Sequence, residues 1–354
     1  MLMQEISQCS FDRINNDCLL QVAQFLSPED CAHLAATCRR LYQFITRQNR
    51  LFQGAMPYLP NHLEEGFAYR CFVLLKTGEL SGCFKSKVVA GHQKGVVRCL
   101  VVLPDGIASG GDDNTIRVWA NGREVSCLQG HLGPVMCLAS QGDTIISGSF
   151  DHTIRVWADG RQVACLTGHR GPVRYLAVLG DRIISGGEDG TMRFWKDGAE
   201  ERLLEIGFTC IATFQNRIVY GSLPNTIKLW EDGEEVEYSI VESTPLRLAV
   251  SGEKIICGFP QSIQVFERGK EVHCLRLQEE TMTCMALSGS RIFSGSCKGM
   301  IRVWNGGSHE LCLRGGHENW ITSLVIFRNQ IISASQDGTI RQWELDIESA
   351  KQKF

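Results

Sequence analysis

Residues 147–157 read Ser-Gly-Ser-Phe-Asp-His-Thr-Ile-Arg-Val-Trp, and the chain repeats this phrase along most of its length. Each copy ends in an aromatic residue, and the successive ends are Trp119, Trp157, Trp195, Trp230, Phe266, Trp304 and Trp343. These ends lie between 35 and 39 residues apart. A constant period near 40 residues with recurring Gly-His and Trp marks is typical of a β-propeller, in which each repeat forms one blade. The sequence therefore predicts an all-β ring of seven blades.

Each repeat also has the pattern of a four-stranded sheet. In the second repeat, residues 135–139 alternate as an inner strand, 143–148 and 153–157 form the next two strands, and 162–166 form the outer strand. Short β-rich runs separated by Asp-Gly or Asn-Gly turns predict hairpins. The apolar residues of one blade must face its neighbours, because no single repeat buries a core alone.

The two ends of the repeat region predict how the ring closes. Residues 85–90 precede the first Gly-His, where every other copy has its outer strand, and no outer strand is evident after Trp343. We therefore expect this N-terminal strand to complete the last blade, which removes exposed sheet edges. Deletion of residues 83–91 is predicted to destabilise the whole ring.

Composition limits the classes of function. A length of 354 residues favours about two domains. The net charge of −3 does not favour nucleic-acid binding, and we expect no nucleic-acid partner. No window of 18 apolar residues predicts a membrane helix, and residues 1–11 lack the basic and apolar regions of a secretory signal. We expect no membrane partner.

Eight of the 16 cysteines follow the repeat. One set falls in the inner strands, at Cys99, Cys137, Cys210 and Cys284, and a second in the outer strands, at Cys127, Cys165, Cys274 and Cys312. Cysteine in register with a fold is expected to act as a small buried hydrophobe. The chain has no C-x-x-C pair, so we expect no zinc, no other metal and no cofactor. Reduced thiols would indicate an intracellular location, in the cytoplasm or nucleus.

The Gly-His and Trp marks resemble the WD40 family over about residues 83–343. The resemblance implies a hydrogen-bonded clasp of His, Asp, Trp and a second-strand serine in four blades. Its members would be His92, Asp113, Trp119 and Ser109; His131, Asp151, Trp157 and Ser147; His169, Asp189, Trp195 and Ser185; His317, Asp337, Trp343 and Ser333. A catalytic Ser-His-Asp interpretation is disfavoured, because a hydrolase needs one triad rather than four, and we expect no catalytic residue. Blades four to six depart from this pattern and are expected to be less rigid.

The first fifty residues predict a separate helical domain. Apolar residues recur at helical spacing, and Ser27 followed by Pro28 is a helix-start signal. Residues 14–26 (INNDCLLQVAQFL) and the Thr37–Leu41 stretch resemble an F-box. The resemblance implies docking on a Skp-type adaptor, chiefly through Ile14, Leu19, Leu20, Leu26 and Leu34. The predicted fold is thus a small all-α F-box at 11–52, a helical linker at 53–82, an all-β seven-bladed WD40 β-propeller at 83–345 and a tail at 346–354.

A target site is expected on the ring. In receptors that join an F-box to WD40 repeats, the residue after the first inner-strand apolar position projects near the central channel. Here those positions hold Arg98, Met136, Arg174, Thr209, Arg247, Thr283 and Thr322. Two hypotheses remain open: the arginines hold a phosphorylated or acidic peptide, or they pair with local acids such as Asp112 and Glu188. With the aromatic residues Phe150 and Trp320, the three arginines are the candidate substrate-binding residues.

The two resemblances together imply the substrate-recognition subunit of an SCF (Skp–cullin–F-box) ubiquitin ligase. Such a subunit is not an enzyme: it holds a target protein near the ubiquitin-charged E2, and its partners are the adaptor, cullin and RING subunits. One alternative is a non-catalytic WD40 scaffold that binds no adaptor, which Asn15 favours because the family pattern has proline there. Another is a microbial F-box effector acting in a host cell. The sequence does not identify the target.

Overall fold

A computed structural model of the chain describes residues 84–345, apart from 93–94, 215–216, 232–233, 278–279, 306 and 329. Residues 86–343 form one compact unit. Within the described range the chain has 28 strands in seven four-stranded antiparallel sheets. No helix of the described range is long and apolar enough to cross a membrane. The predicted F-box at 11–52, the linker at 53–82 and the tail at 346–354 lie outside the described residues.

The first three blades use consecutive strands, which run in order from the inner to the outer edge. Blade one comprises β2 (Val97–Leu103), β3 (Gly106–Gly111), β4 (Ile116–Ala120) and β5 (Arg123–Leu128). Blade two comprises β6 (Val135–Gln141), β7 (Thr144–Ser149), β8 (Ile154–Ala158) and β9 (Arg161–Leu166). Blade three comprises β10 (Val173–Leu179), β11 (Arg182–Gly187), β12 (Thr191–Lys196) and β13 (Ala199–Glu205).

The next three blades follow the same order. Blade four comprises β14 (Phe208–Phe214), β15 (Arg217–Ser222), β16 (Thr226–Glu231) and β17 (Glu234–Ile240). Blade five comprises β18 (Arg247–Ser251), β19 (Lys254–Gly258), β20 (Ser262–Glu267) and β21 (Lys270–Arg276). Blade six comprises β22 (Met282–Ser288), β23 (Arg291–Ser296), β24 (Ile301–Asn305) and β25 (Ser308–Leu313).

Blade seven joins the two ends of the ring. It comprises β26 (Ile321–Phe327), β27 (Gln330–Ser335), β28 (Thr339–Leu345) and β1 (Phe84–Gly91). Val89 and Ala90 of β1 pack into a cluster that includes Val97 and Trp119 of blade one. The strand that precedes the first repeat thus supplies the outer edge of the last blade. The prediction of closure by this segment is confirmed.

The hairpin turns follow from the dipeptides that encode them. In blade two, Asp159 and Gly160 adopt φ values of 50° and 72° between β8 and β9. Two successive positive φ values are characteristic of a type I′ turn, whose twist matches that of the flanking strands. The four strands of this blade lie within two residues of the bounds predicted from sequence.

Apolar side chains fill the space between blades, and the repeated Ser-Gly pair makes room for them. A Cβ atom on Gly148 would lie 2.6 Å from Cγ1 of Val173 and 2.7 Å from Sγ of Cys137. Val173 itself is fully buried in blade three. Glycine at this position therefore lets the inner strand of the following blade pack against the sheet.

The two cysteine sets differ in burial. Three of the inner-strand set are buried and Cys137 is half-buried. In the outer-strand set, Cys312 is buried, whereas Cys165 and Cys274 are exposed. The expectation of burial is therefore wrong for Cys165 and Cys274, because the outermost strand of a blade has a free face toward solvent. The ten described cysteines are free thiols.

Candidate functional site

The centre of the ring contains a cavity of about 1090 Å³. Its lining includes a residue at the start of every inner strand, namely Arg98, Met136, Arg174, Thr209, Arg247, Thr283 and Thr322. Arg247 is the first residue of its strand, and the other six are each the second. We call this cavity the channel mouth. Trp320 also lines it, whereas Phe150 does not. The structure thus brings together four of the five candidate substrate-binding residues and leaves Phe150 outside, where its side chain is exposed on blade two.

Two of the three arginines at the mouth are held by carboxylates of their own blades. Arg98 donates from Nε to Oδ1 of Asp112 at 2.6 Å and from a terminal nitrogen to Oδ2 at 3.0 Å. Arg174 donates from Nε to Oε1 of Glu188 at 2.6 Å, and one of its terminal nitrogens lies 2.5 Å from the same oxygen. The structure therefore contains both ion pairs that the sequence predicts.

Arg247 has a different environment. Its terminal nitrogen donates to the backbone carbonyl of Leu246 at 2.8 Å, which is a neutral partner. No carboxylate of the described residues lies within ion-pair distance of Arg247. The turn that supplies the acid in blades one and three is one residue shorter in blade five, where Pro260 stands in that place.

Apolar side chains surround the mouth on blades three to five and on blade seven. The rings of Tyr175 and Phe208 meet edge to face, with centroids 5.7 Å apart. Burial raises the pKa of Tyr175 despite the positive charge of Arg247, so the phenol stays protonated at neutral pH. Leu223 is 59% exposed and Trp320 is 49% exposed. These large apolar groups face solvent beside the cavity.

The threonines of the mouth have a structural role that sequence reasoning missed. Thr209 donates to the carbonyl of Pro245 in blade five at 2.8 Å. Thr283 and Thr322 likewise donate to Ile321 and Val97, each in the following blade. Their hydroxyl groups are therefore occupied by contacts between blades. The sequence places these residues in register but does not show which carbonyl a neighbouring blade will present.

The clasp implied by the family resemblance is present in blades one, two, three and seven. In blade two, Nδ1 of His131 lies 2.8 Å from Asp151, Nε2 lies 2.7 Å from Oγ of Ser147, and Nε1 of Trp157 donates to the same Oγ at 2.8 Å. Blades one, three and seven repeat these contacts within about half an ångström, through His92, Ser109, Asp113 and Trp119; His169, Ser185, Asp189 and Trp195; and His317, Ser333, Asp337 and Trp343.

The network fixes the protonation of the clasp. Burial is the largest effect on His92, His169 and His317 and lowers the pKa of each, against the carboxylate that would raise it. Each of these imidazoles is therefore neutral at pH 7, donates from Nδ1 to the carboxylate and accepts the serine hydroxyl at Nε2. The serines Ser109, Ser147, Ser185 and Ser333 are fully buried, so their hydroxyl groups cannot reach a substrate.

Hydrogen bonds keep the clasp carboxylates ionised. Burial alone would raise the pKa of Asp189, but donors from Arg170, Thr191 and His169 outweigh it and lower the pKa to about 2. The Thr191 hydroxyl donates to Asp189 at 2.7 Å, and Thr115, Thr153 and Thr339 repeat this contact. Sequence reasoning missed these threonines, although the repeated Asp-x-Thr spacing was a usable signal.

Blades four and six replace the clasp with other contacts. In blade four, Tyr220 takes the serine position, is fully buried and donates to Glu235. In blade six, Ser294 still accepts from Trp304 at 3.0 Å, while Arg302 donates to the buried Glu280 at 2.9 Å. The loss of the histidine therefore does not leave those blades without internal polar contacts, although Oε2 of Glu280 and Nε of Arg302 are buried without a hydrogen-bond partner.

Two sequence families match this chain. The WD domain, G-beta repeat, matches residues 83–120, 122–158, 160–196 and 310–344. These segments contain the four phrases that carry the clasp. The F-box domain matches residues 11–53. The chain contains an F-box and WD repeats.

One of two curated relatives combines an F-box with WD repeats by its name, and both match this chain over short segments. F-box/WD repeat-containing protein 7 of Drosophila melanogaster is 28% identical across 32% of this chain and 10% of its own length. The ribosome biogenesis protein WDR12 homolog of Trichoplax adhaerens is 36% identical across 16% of this chain and 14% of its own length. The matches thus span about a tenth and a seventh of these relatives.

Solved structures share the ring. The computationally designed Ika8 protein superposes with a TM-score of 0.59 at 27% identity, covering 72% of this chain and 85% of its own. The WD40 β-propeller domain of Doa1 superposes with a TM-score of 0.65 at 21% identity, covering 73% of this F-box/WD-repeat chain and 97% of its own. The second likeness shows the fold alone.

Proposed function

We propose that this F-box/WD-repeat protein is the substrate-recognition subunit of an SCF ubiquitin ligase. The observation that carries the proposal is the order of two modules: an F-box match at 11–53 directly precedes a propeller that starts at β1. The F-box would dock on a Skp-type adaptor through Ile14, Leu19, Leu20, Leu26 and Leu34. The propeller would hold the target, so that the chain acts by raising the effective concentration of target lysines near the E2.

The channel mouth is the proposed target site. It combines a concave shape, cationic side chains and exposed apolar groups, and aromatic and arginine residues are common hot spots in protein recognition. Arg98, Arg174, Arg247 and Trp320 would contact the target, in a phosphorylated or acidic motif. The expected place of action is inside the cell, in the cytoplasm or nucleus.

Co-expression with the Skp-type adaptor tests the proposal. We expect a stoichiometric complex on size-exclusion chromatography that an Ile14→Asp/Leu19→Asp variant loses, because two charges cannot be buried at an apolar interface without a large cost. A matched control carries Val125→Asp and Val163→Asp, at positions that are 60% and 61% exposed on the outer strands. This control should bind the adaptor like the wild type.

Failure of the folded wild-type chain to bind the adaptor would leave the alternative of a WD40 scaffold, which Asn15 in place of proline favours. Its partners would then be sought by proximity labelling. A microbial effector acting in a host would also bind the adaptor, and only the source of the gene separates that alternative.

A further inference from the structure

The charge at the channel mouth is unevenly distributed. On blades one and three, Asp112 and Glu188 already accept from N–H groups on one edge of the Arg98 and Arg174 guanidinium groups. The Asp112 pair is bidentate, which is the geometry in which a guanidinium binds phosphate. An incoming phosphate would have to displace the carboxylate or bind the remaining N–H groups beside its negative charge. These two arginines are therefore poor phosphate sites.

The opposite part of the mouth has an uncompensated cation beside apolar surface. Arg247 gives one N–H to a backbone carbonyl, which leaves its charge without a carboxylate among the described residues. Leu246 is 37% exposed next to it, and Leu223 takes in blade four the position that Asp112 holds in blade one. Phe208 and Tyr175 extend this surface into the cavity. Exposed apolar groups beside a lone charge form a surface complementary to a ligand with one anion and apolar neighbours.

We propose that the channel mouth binds an extended target segment that carries one anionic side chain flanked by apolar side chains. Arg247 holds the anion, and Leu223, Leu246 and Phe208 contact the flanking groups. Asp112 and Glu188 are specificity-determining residues, because they keep a second or third phosphate away from Arg98 and Arg174. The inference rests on the proposed receptor function and narrows the class of target.

Peptide selection on the full-length chain tests this inference. The probe is a library of 12-residue peptides with random flanks and one of four fixed centres: a glutamate, one phosphoserine, two phosphoserines or an unmodified serine. We expect enrichment of the single-anion centres with apolar flanks. The glutamate and single-phosphoserine arms distinguish a carboxylate from a phosphate as the anion. Preference of the wild type for two phosphoserines or for the neutral centre would overturn the inference.

Variants assign the roles of the residues. Arg247→Gln should weaken binding of the selected peptides at least about tenfold, as expected for loss of a charged hydrogen bond. Arg268→Gln, at an exposed turn of the same blade, is the matched control and should change affinity less than about twofold. Equal affinities of the two variants would show that Arg247 does not hold the anion.

The double variant Asp112→Asn/Glu188→Gln tests specificity. It keeps the shape of both side chains, removes two negative charges and should raise affinity for doubly phosphorylated peptides at least about tenfold. Affinity for single-anion peptides should change less than about twofold. If the double variant does not fold, the two single substitutions are measured instead. Unchanged affinity for doubly phosphorylated peptides would show that Asp112 and Glu188 do not determine specificity.

Adaptor binding is measured separately on the same samples. A chain that binds the adaptor but selects no such peptide overturns this inference and leaves the receptor function standing. A chain that selects the peptides but binds no adaptor overturns the receptor function and leaves the proposed specificity of the channel mouth standing.

Discussion

At the scale of single residues, the clasp makes stability depend on pH. His92, His169 and His317 have pKa values below the ordinary value near 6.5, chiefly because they are buried. As pH falls below that value, the unfolded chain binds protons that the folded chain does not, so the free energy of unfolding decreases. We therefore expect the midpoint of thermal unfolding to fall between pH 7.5 and 5.

A matched pair of variants assigns this pH dependence. His169→Gln removes one clasp imidazole, so its midpoint should change less with pH than that of the wild type, even if it is lower at pH 7.5. His152→Gln, at an exposed turn of blade two, should keep the wild-type slope. Identical slopes for all three proteins would contradict the assignment. Below pH 4, protonation of carboxylates such as Asp189 should cause a further loss, since its pKa is about 2 in the folded state.

At the scale of elements, β1 closes the ring through one of its faces. Val89 packs into the cluster with Val97 and Trp119, whereas the adjacent Val88 is 49% exposed. We expect Val89→Asp to lower the free energy of unfolding by about 1–3 kcal/mol, because it places a charge in an apolar contact. Val88→Asp adds the same charge on the exposed side and should stay within about 0.5 kcal/mol of wild type. Urea unfolding compares the two, and equal losses would argue against closure by this face.

Most strands and turns of the ring could be predicted from the sequence, because each depends on residues that are close together in the chain. Neighbouring residues encode the turn at Asp159-Gly160 and the strand pattern of blade two. The same pattern recurs in other repeats of the chain. The Arg98–Asp112 pair was predictable because the register of one hairpin sets both positions. The role of Thr322 was not, since its acceptor Val97 lies 225 residues away in sequence and only the closed ring brings them together. Phe150 lies outside the cavity, and its position at a turn did not determine whether the side chain reaches that cavity.

At the scale of the whole molecule, the ring has two kinds of blade. Blades one, two, three and seven have the clasp. Blade four instead has a hydrogen bond from Tyr220 to Glu235, and blade six has one from Arg302 to Glu280. We expect hydrogen exchange to be faster in the turns at 222–226 and 260–262 than at 149–153, since the latter are tied to the clasp through Asp151. Mass spectrometry of the exchanged protein measures this, with the inner strands as internal reference. Equal protection of all turns would mean that the substitute contacts are as effective as the clasp.

One set of hydrogen bonds between blades runs forward around the ring. At the start of the inner strands, Cys99 and Cys137 lie within hydrogen-bond distance of carbonyls in the next blade, and Thr209 and Thr283 donate forward in the same way. Thr322 repeats this contact from blade seven to blade one. The joint that completes the circle therefore has the same chemistry as joints inside the chain. A circularly permuted gene that began at another hairpin, such as Asp159-Gly160, would encode the same set of joints. The position of the N-terminus on the ring therefore does not change which contacts join the blades. It determines from which blade the F-box segment extends.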